Sequence, residues 1–360
     1  MDSVRQAGPC TRTNQIDFDD EVIYQARLKL FDMARSTDRR PFCMVASMTH
    51  PHDPYVIPQR YWDRYAGVDI DVPRVHMTAA ESDPHARRLR HVCGLDLEPV
   101  SPEQTQAARR AYYGAVSYVD DQIGIMLQAL EDSRFADNTI VVLLADHGDM
   151  LGERGLWYKM NFFEPACRIP LIVSAPHLFT PKRVAGSASL VDVMPTLCEL
   201  AGTDGRYATP LDGHSLRPQL EGARGRDEVI GEYLAEGAVA PLVMIKRGRY
   251  KFVHSRVDPD QLYDLLEDAD ELNNLATAPE HAVRVQDFRE EVGRRWDLPA
   301  LEGAVIASQK RRHLVYDALR TGTYTPWDYQ PFRDASRSYV RNDLALGDLE
   351  TMARFPPSAS

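Results

Sequence analysis

The stretch that decides the fold is VVLLADHGDMLGERGLWYK, residues 141–159. Its apolar opening, Val141 to Ala145, reads as a buried strand, and it runs straight into Asp146-His147-Gly148 and, past two more glycines, into Lys159. In open α/β sheets the ligand crevice lies beyond the carboxyl ends of the strands, which is where Asp146 and His147 fall. A carboxylate is a hard oxygen ligand for a divalent cation, an adjacent imidazole adds a nitrogen, and a lysine binds an oxyanion as a point charge. The glycines at 148, 152 and 155 let the chain turn tightly around such a centre. The same residues also fit a plain Asp-His-Gly turn that caps the strand, with Lys159 in solvent.

A second cluster has the same character. In PFCMVASMTHPHDPYVIP, residues 41–58, an apolar run that reads as a strand ends at His50 and His52. Histidine near neutral pH serves as a general acid for a leaving oxygen or as a contact to an anion. Histidines in a proline-rich loop that bond only to their own backbone fit equally well.

Working outward, helices and strands alternate. Val22, Ile23, Ala26, Leu30 and Met33 share one helical face ahead of the 41–50 strand. From Pro102 to Asp132, Tyr112, Val116, Val119, Ile123, Met126 and Leu130 recur at intervals of three and four, and TIVVLLA (139–145) follows. IPLIVSAP (169–176) is a third strand, and SLVDVMPTLCELAG (189–202) another helix, bent at Pro195 and ended by Gly202. Continuous apolar strands spaced by helices predict an α/β body with a mostly parallel sheet sandwiched by helices, residues 1–203. Residues 204–300 have the shorter strands of a smaller α+β lobe, with a hairpin at Arg247-Gly248. Residues 301–360 form a tail in which Tyr324, Trp327, Tyr329 and Phe332 alternate with Asp328 and Asp334, too aromatic for simple disorder. Those aromatic faces and carboxylates suit a quaternary ammonium group; they equally suit anchoring the tail on the body or a neighbouring subunit.

Composition narrows the context. The 360 residues are 44% hydrophobic, and 42 basic against 53 acidic residues give −11, which disfavours a nucleic-acid surface. Five scattered cysteines without CxxC spacing fit a reducing compartment, and no apolar run reaches membrane-spanning length, so the expectation is a cytoplasmic protein with no membrane span.

The run ADHGDMLGERGLWYKMNFFEPACRIPLIVSAP (145–176), together with THPHDPYVIP (49–58), resembles the sulfatases of the alkaline phosphatase superfamily. GDMLGERGLWYKM and the WDYQP of the tail are most similar to the choline-sulfatase branch, and the resemblance extends from about Gly8 to Pro356. It implies an alkaline-phosphatase-like fold, a divalent metal, in this family calcium, held by Asp146 and His147, and a sulfate contact from Lys159. It makes His52 the general acid or leaving-group contact, with His50 in reserve, and turns Glu236, in EYLAEGAVAP, toward the ammonium group of choline sulfate; Glu236 as an exposed loop residue is the plainer alternative. It further implies a homo-oligomer assembled through the tail, whose Asp348 matches an acidic residue near the substrate.

The departures are as specific. Such sulfatases use a Cys or Ser in C/S-x-P-x-R, converted to formylglycine, as nucleophile, and an N-terminal aspartate pair as further metal ligands. Cys10, Cys167 and Ser82-Asp83-Pro84-His85-Ala86 each misplace the proline or the arginine, so no nucleophile is found. Asp120-Asp121 sits mid-helix, where adjacent side chains point about 100° apart, and reads as a solvated face. The expectation is a family member corresponding to the later two thirds of a choline sulfatase, truncated before its nucleophile. A non-catalytic remnant, or a phosphodiesterase or phosphatase of the same superfamily, are the alternatives.

Overall fold

The helix expected around residues 21–33 begins earlier, spanning Asn14–Arg35, because the Thr13 hydroxyl accepts from the Ile16 amide at 3.1 Å and caps it. The long helix runs Pro102–Asp132, started by a capping box in which Ser101 and Gln104 bond reciprocally. Both belong to a computed structural model that describes residues 1–203, 205, 207–324, 338–339 and 354–355. Contacts divide the chain into two units: residues 1–74, 93–139 and 309–360 in the first, 75–92 and 140–308 in the second.

In the first unit a short parallel pair, Gly8–Cys10 with Val56–Pro58, packs against the long helix, which also packs on Asn14–Arg35. Tyr118, fully buried on the long helix, donates to Asp20 at 2.9 Å. Asp121 pairs with Arg64 on the surface, consistent with a solvated face.

In the second unit an antiparallel sheet of four strands, Glu228–Tyr233, Leu242–Arg247, Tyr250–Ser255 and Gln261–Asp264, is covered by the helix Ala282–Arg295. Val243, Ile245, Phe252 and Leu262 are fully buried there, and Phe252 stacks on Phe288 at 5.2 Å. The expected hairpin turns at Gly248, whose φ of +55° is left-handed. The same unit holds the strands Val141–Leu144 and Leu171–Ser174 and the helix Val193–Leu200, with Gly202 beyond its end at φ +73°.

The α/β class stands, with two differences in pairing. Residues 41–48 form no strand, and Val45 is 85% exposed; a strand needs a partner edge, and Val56–Pro58 pairs with Gly8–Cys10 instead. Val141–Leu144 pairs with Leu171–Ser174 antiparallel. Parallel neighbours need a crossover, usually helical, and between these strands the chain forms only a 3-10 turn, Glu153–Gly155, and a four-residue helix, Glu164–Cys167. Mostly parallel pairing is therefore not what the described strands show, although the chain is an α/β protein. No described helix is long and apolar enough to cross a membrane.

Candidate functional site

Residues 146–160 make a tight loop held by its own backbone. Gly148 N donates to Ala166 O at 2.8 Å, Met150 N to Tyr158 O at 2.7 Å and Gly152 N to Leu156 O at 2.9 Å. A side chain at Gly148 would meet the Pro165 carbonyl oxygen at 2.1 Å, so only glycine allows that approach. Leu151, Arg154 and Tyr158 all have φ between +46° and +66°. Such strain persists only where the surroundings over-determine it, and it clusters at functional sites.

The restraint comes from two side chains that motif reading passed over. Glu153 is buried and accepts from the Val75 amide at 3.0 Å, while the Arg154 amide donates to the Val75 carbonyl at 2.7 Å. The Arg154 guanidinium lies 3.9 Å from the Phe163 ring centroid and donates to the Glu271 carbonyl. Buried charge at GER was the available signal, since Glu and Arg are rarely buried unless paired.

Asp146 and His147 emerge together at the end of the strand. The His147 amide donates to Asp146 Oδ1 at 3.0 Å, and His147 Nδ1 donates to the Gly148 carbonyl at 2.8 Å. Fixing Nδ1 this way sets the tautomer that offers Nε2, which lies 3.7 Å from Asp146 Oδ2. An imidazole nitrogen and a carboxylate oxygen at that separation fit two ligands of one cation. They do not complete a site: no group of three or more His, Cys, Asp or Glu that could hold a metal occurs among the described residues. Lys159 closes the same loop, half-buried, its carbonyl accepting from the Asn161 amide at 2.7 Å.

Elsewhere in the second unit Glu236 is exposed and accepts from the Tyr233 hydroxyl at 3.1 Å. Burial pushes the Cys167 thiol up to about 11, so it is protonated at neutral pH and unsuited to attack.

In the first unit the two histidines differ. The His50 side chain is buried, its Nδ1 2.6 Å from Asp19 Oδ2, its ring edge-on to Tyr118. Asp19, itself fully buried, also accepts from the amides of Thr49 and His50 at 2.6 and 3.0 Å. His52 keeps a third of its side chain exposed, with Nδ1 2.8 Å from the Asp53 carbonyl and 2.9 Å from its carboxylate. Asp19 was missed because it stands 31 residues away on a helix, where it looks like any polar-face acid. Asp348 lies outside the described residues, as do Trp327, Asp328, Tyr329, Phe332 and Asp334 of the tail.

Residues 4–203 match the family model described as Sulfatase, 303–355 the one described as Choline sulfatase enzyme C terminal, and 152–296 the one described as N-sulphoglucosamine sulphohydrolase, C-terminal. The choline-sulfatase of Rhizobium meliloti (strain 1021) is 42% identical over 364 residues, covering 99% of this chain and 71% of that protein. An arylsulfatase of Clostridium perfringens is 28% identical over 71% of this chain and 54% of its own length. Among solved structures, a phosphonate monoester hydrolase from Silicibacter pomeroyi superposes with a TM-score of 0.65 at 24% identity, over 75% of this chain and 58% of that one, and so shares its fold. The chain belongs to the sulfatase family of sulfuric ester hydrolases and resembles choline sulfatase over nearly its whole length.

Proposed function

We propose that the chain supplies the substrate-contacting part of an enzyme that hydrolyses choline sulfate to choline and sulfate. The observation that carries this reading is the 146–160 loop, which bears an Asp-His pair at one end and a lysine at the other on a backbone locked by Glu153 and Arg154. Lys159 meets the sulfate oxygens, where a fixed positive charge counts most as negative charge builds in the transition state. His52, its Nδ1 tethered to Asp53, is the general acid for the leaving oxygen. Glu236, exposed beside Tyr233, meets the trimethylammonium end; that group carries charge but donates no conventional hydrogen bond, so a carboxylate and aromatic faces are what recognise it.

Asp146 and His147 would hold the divalent metal, which when bound polarises the sulfate oxygens. Calcium is the proposed ion; it wants six or more oxygen ligands, so two donors bind it weakly, and tight calcium binding seen by calorimetry on this chain would count against the assignment. The alternating carboxylates and aromatics of 324–334, with Asp348, are proposed to complete the ammonium subsite and join subunits into a homo-oligomer. Leu314 and Val315, exposed on the helix Leu298–Leu319 that leads into the tail, support a role in assembly. A body over 1–203, a lobe over 204–300 and a tail over 301–360 are the proposed divisions; the Sulfatase match ends at 203 and the choline-sulfatase C-terminal match begins at 303, while a third match spans 152–296. A cytoplasmic location is proposed from the five cysteines, scattered without CxxC spacing.

None of these 360 residues forms C/S-x-P-x-R, so attack on sulfur needs a nucleophile from outside them. The test is sulfate release from choline sulfate by this chain and by the chain fused behind a segment carrying C-x-P-x-R, each coexpressed with formylglycine-generating machinery. Turnover by the fusion alone supports the reading. Turnover by the 360 residues alone, abolished by Lys159→Ala, points to a nucleophile among them; turnover by neither favours a non-catalytic remnant.

A further inference from the structure

His85 touches the neighbourhood of both proposed substrate contacts in the second unit. It opens the helix Pro84–Val92 and is 4% exposed. Its Nε2 lies 2.8 Å from the Met160 carbonyl, one residue past Lys159. Its ring meets the Tyr233 ring edge-on at 5.4 Å, and the Tyr233 hydroxyl donates to Glu236 Oε2. Because a carbonyl only accepts, Nε2 carries the ring proton, and in the neutral imidazole Nδ1 is then a bare acceptor. That Nδ1 is buried without a hydrogen-bond partner.

A matching donor belongs to a residue that lines the same small cavity. Asn161, 6% exposed, uses Oδ1 to accept from the Phe163 amide at 2.9 Å, which fixes the orientation of its side chain. Its Nδ2 is buried and unpartnered as well. His85 and Asn161 line one cavity of about 20 Å³, with Asp83, Gln261 and Glu271 among the other walls. That volume holds one water molecule and no larger ligand. A cation is unsuitable, since it has no lone pair to accept from the Asn161 amide, whereas a water gives a proton to Nδ1 and accepts one from Nδ2.

We propose that His85 is a positioning residue which, with one buried water bridging its Nδ1 to the Asn161 amide, ties the Lys159 loop to the Tyr233–Glu236 loop. His85 then joins Lys251, which donates to the Phe162 carbonyl, in setting the distance between the contacts for the two charged ends of the ester. This functional consequence rests on reading Lys159 and Glu236 as those contacts; the bridge itself does not.

The test is nuclear magnetic resonance on the 360-residue chain. The wild type should show His85 as the Nε2-protonated tautomer with a hydrogen-bonded Nδ1, and a water cross-peak to the Asn161 side-chain amide. His85→Phe keeps the ring against Tyr233 and removes both hydrogen bonds, so exchange of the Asn161 and Phe163 amides should rise roughly tenfold, the loss of about one net hydrogen bond. His85→Gln reaches the Met160 carbonyl and should recover part of that protection. Wild-type exchange in His85→Phe, or no water cross-peak in the wild type, overturns the proposal; the second readout decides even where a variant fails to fold. Choline sulfate titrated into wild type and Lys159→Ala separates the two readings, since equal affinities would sink the substrate assignment and leave the bridge standing.

Discussion

In the 228–264 sheet, Val243, Ile245, Phe252 and Leu262 are fully buried beneath a helix, whereas in the ladder joining 141–144 to 171–174 no residue is buried and Ile172 is 56% exposed. Yet the second region carries the Asp-His pair. Its order comes from the loop beyond the strand, where Glu153 and Arg154 are pinned to Val75 and Glu271, and not from sheet packing. Stability and site geometry are thus supplied by different parts of the chain, one by apolar burial and the other by buried polar bonds.

The largest contrast tests that division directly. Phe252→Ala removes a buried, stacked ring and should cost about 3–5 kcal/mol, while Ile172→Ala should stay within about 1 kcal/mol, both read by chemical denaturation. Equal losses would break the comparison. Lys251 is buried in the sheet with Nζ 2.6 Å from Glu164 and 2.8 Å from Glu271. Lys251→Met should cost about 3–5 kcal/mol, because it leaves the buried Glu271 carboxylate, and the partly exposed Glu164, without their cation.

Smaller effects sharpen the picture. Arg154→Lys keeps the charge and loses the flat group stacked on Phe163, so a drop of about 1–2 kcal/mol is expected, with exchange rising at the Glu153 and Arg154 amides ahead of those in the 228–264 sheet. Uniform change in both regions would show that the loop is not separately held. Burial pushes the Asp260 carboxyl up, but bonds from His254 and Arg289, each at 2.6 Å, outweigh it and hold the group below the usual carboxylate range. A lowered folded pKa stabilises above the unfolded value of about 3.9 and loses that contribution as pH falls through the folded value. Asp260→Asn should therefore flatten the stability profile below about pH 4; a slope like the wild type's would contradict it. Deleting residues 321–360 should lower the mass seen by light scattering, and an unchanged mass would remove the tail from the assembly.

Much of this was legible beforehand for physical reasons that can be named. The helix Pro102–Asp132 announced itself by apolar spacing and by Ser101 and Gln104 at its start. The strand at 141–144 and its polar exit were readable because five apolar residues end on Asp146. The run at 41–48 was misread as a strand because apolar character signals burial only where a partner edge exists, and here Val45 faces solvent. Asp19, Val75 and His85 were invisible for a common reason: each acts on a loop 30 or more residues away, and local pattern carries no record of that distance.

The most direct measurement of the central claim is steady-state hydrolysis of choline sulfate by the fusion that carries a C-x-P-x-R segment, with and without Lys159→Ala. If the 146–160 loop presents Lys159 to the charge that develops on sulfate, kcat/KM should fall about 10²–10³-fold while the melting temperature holds. A kcat/KM within about twofold of wild type would contradict the account, because Lys159 would then contribute almost nothing to the transition state.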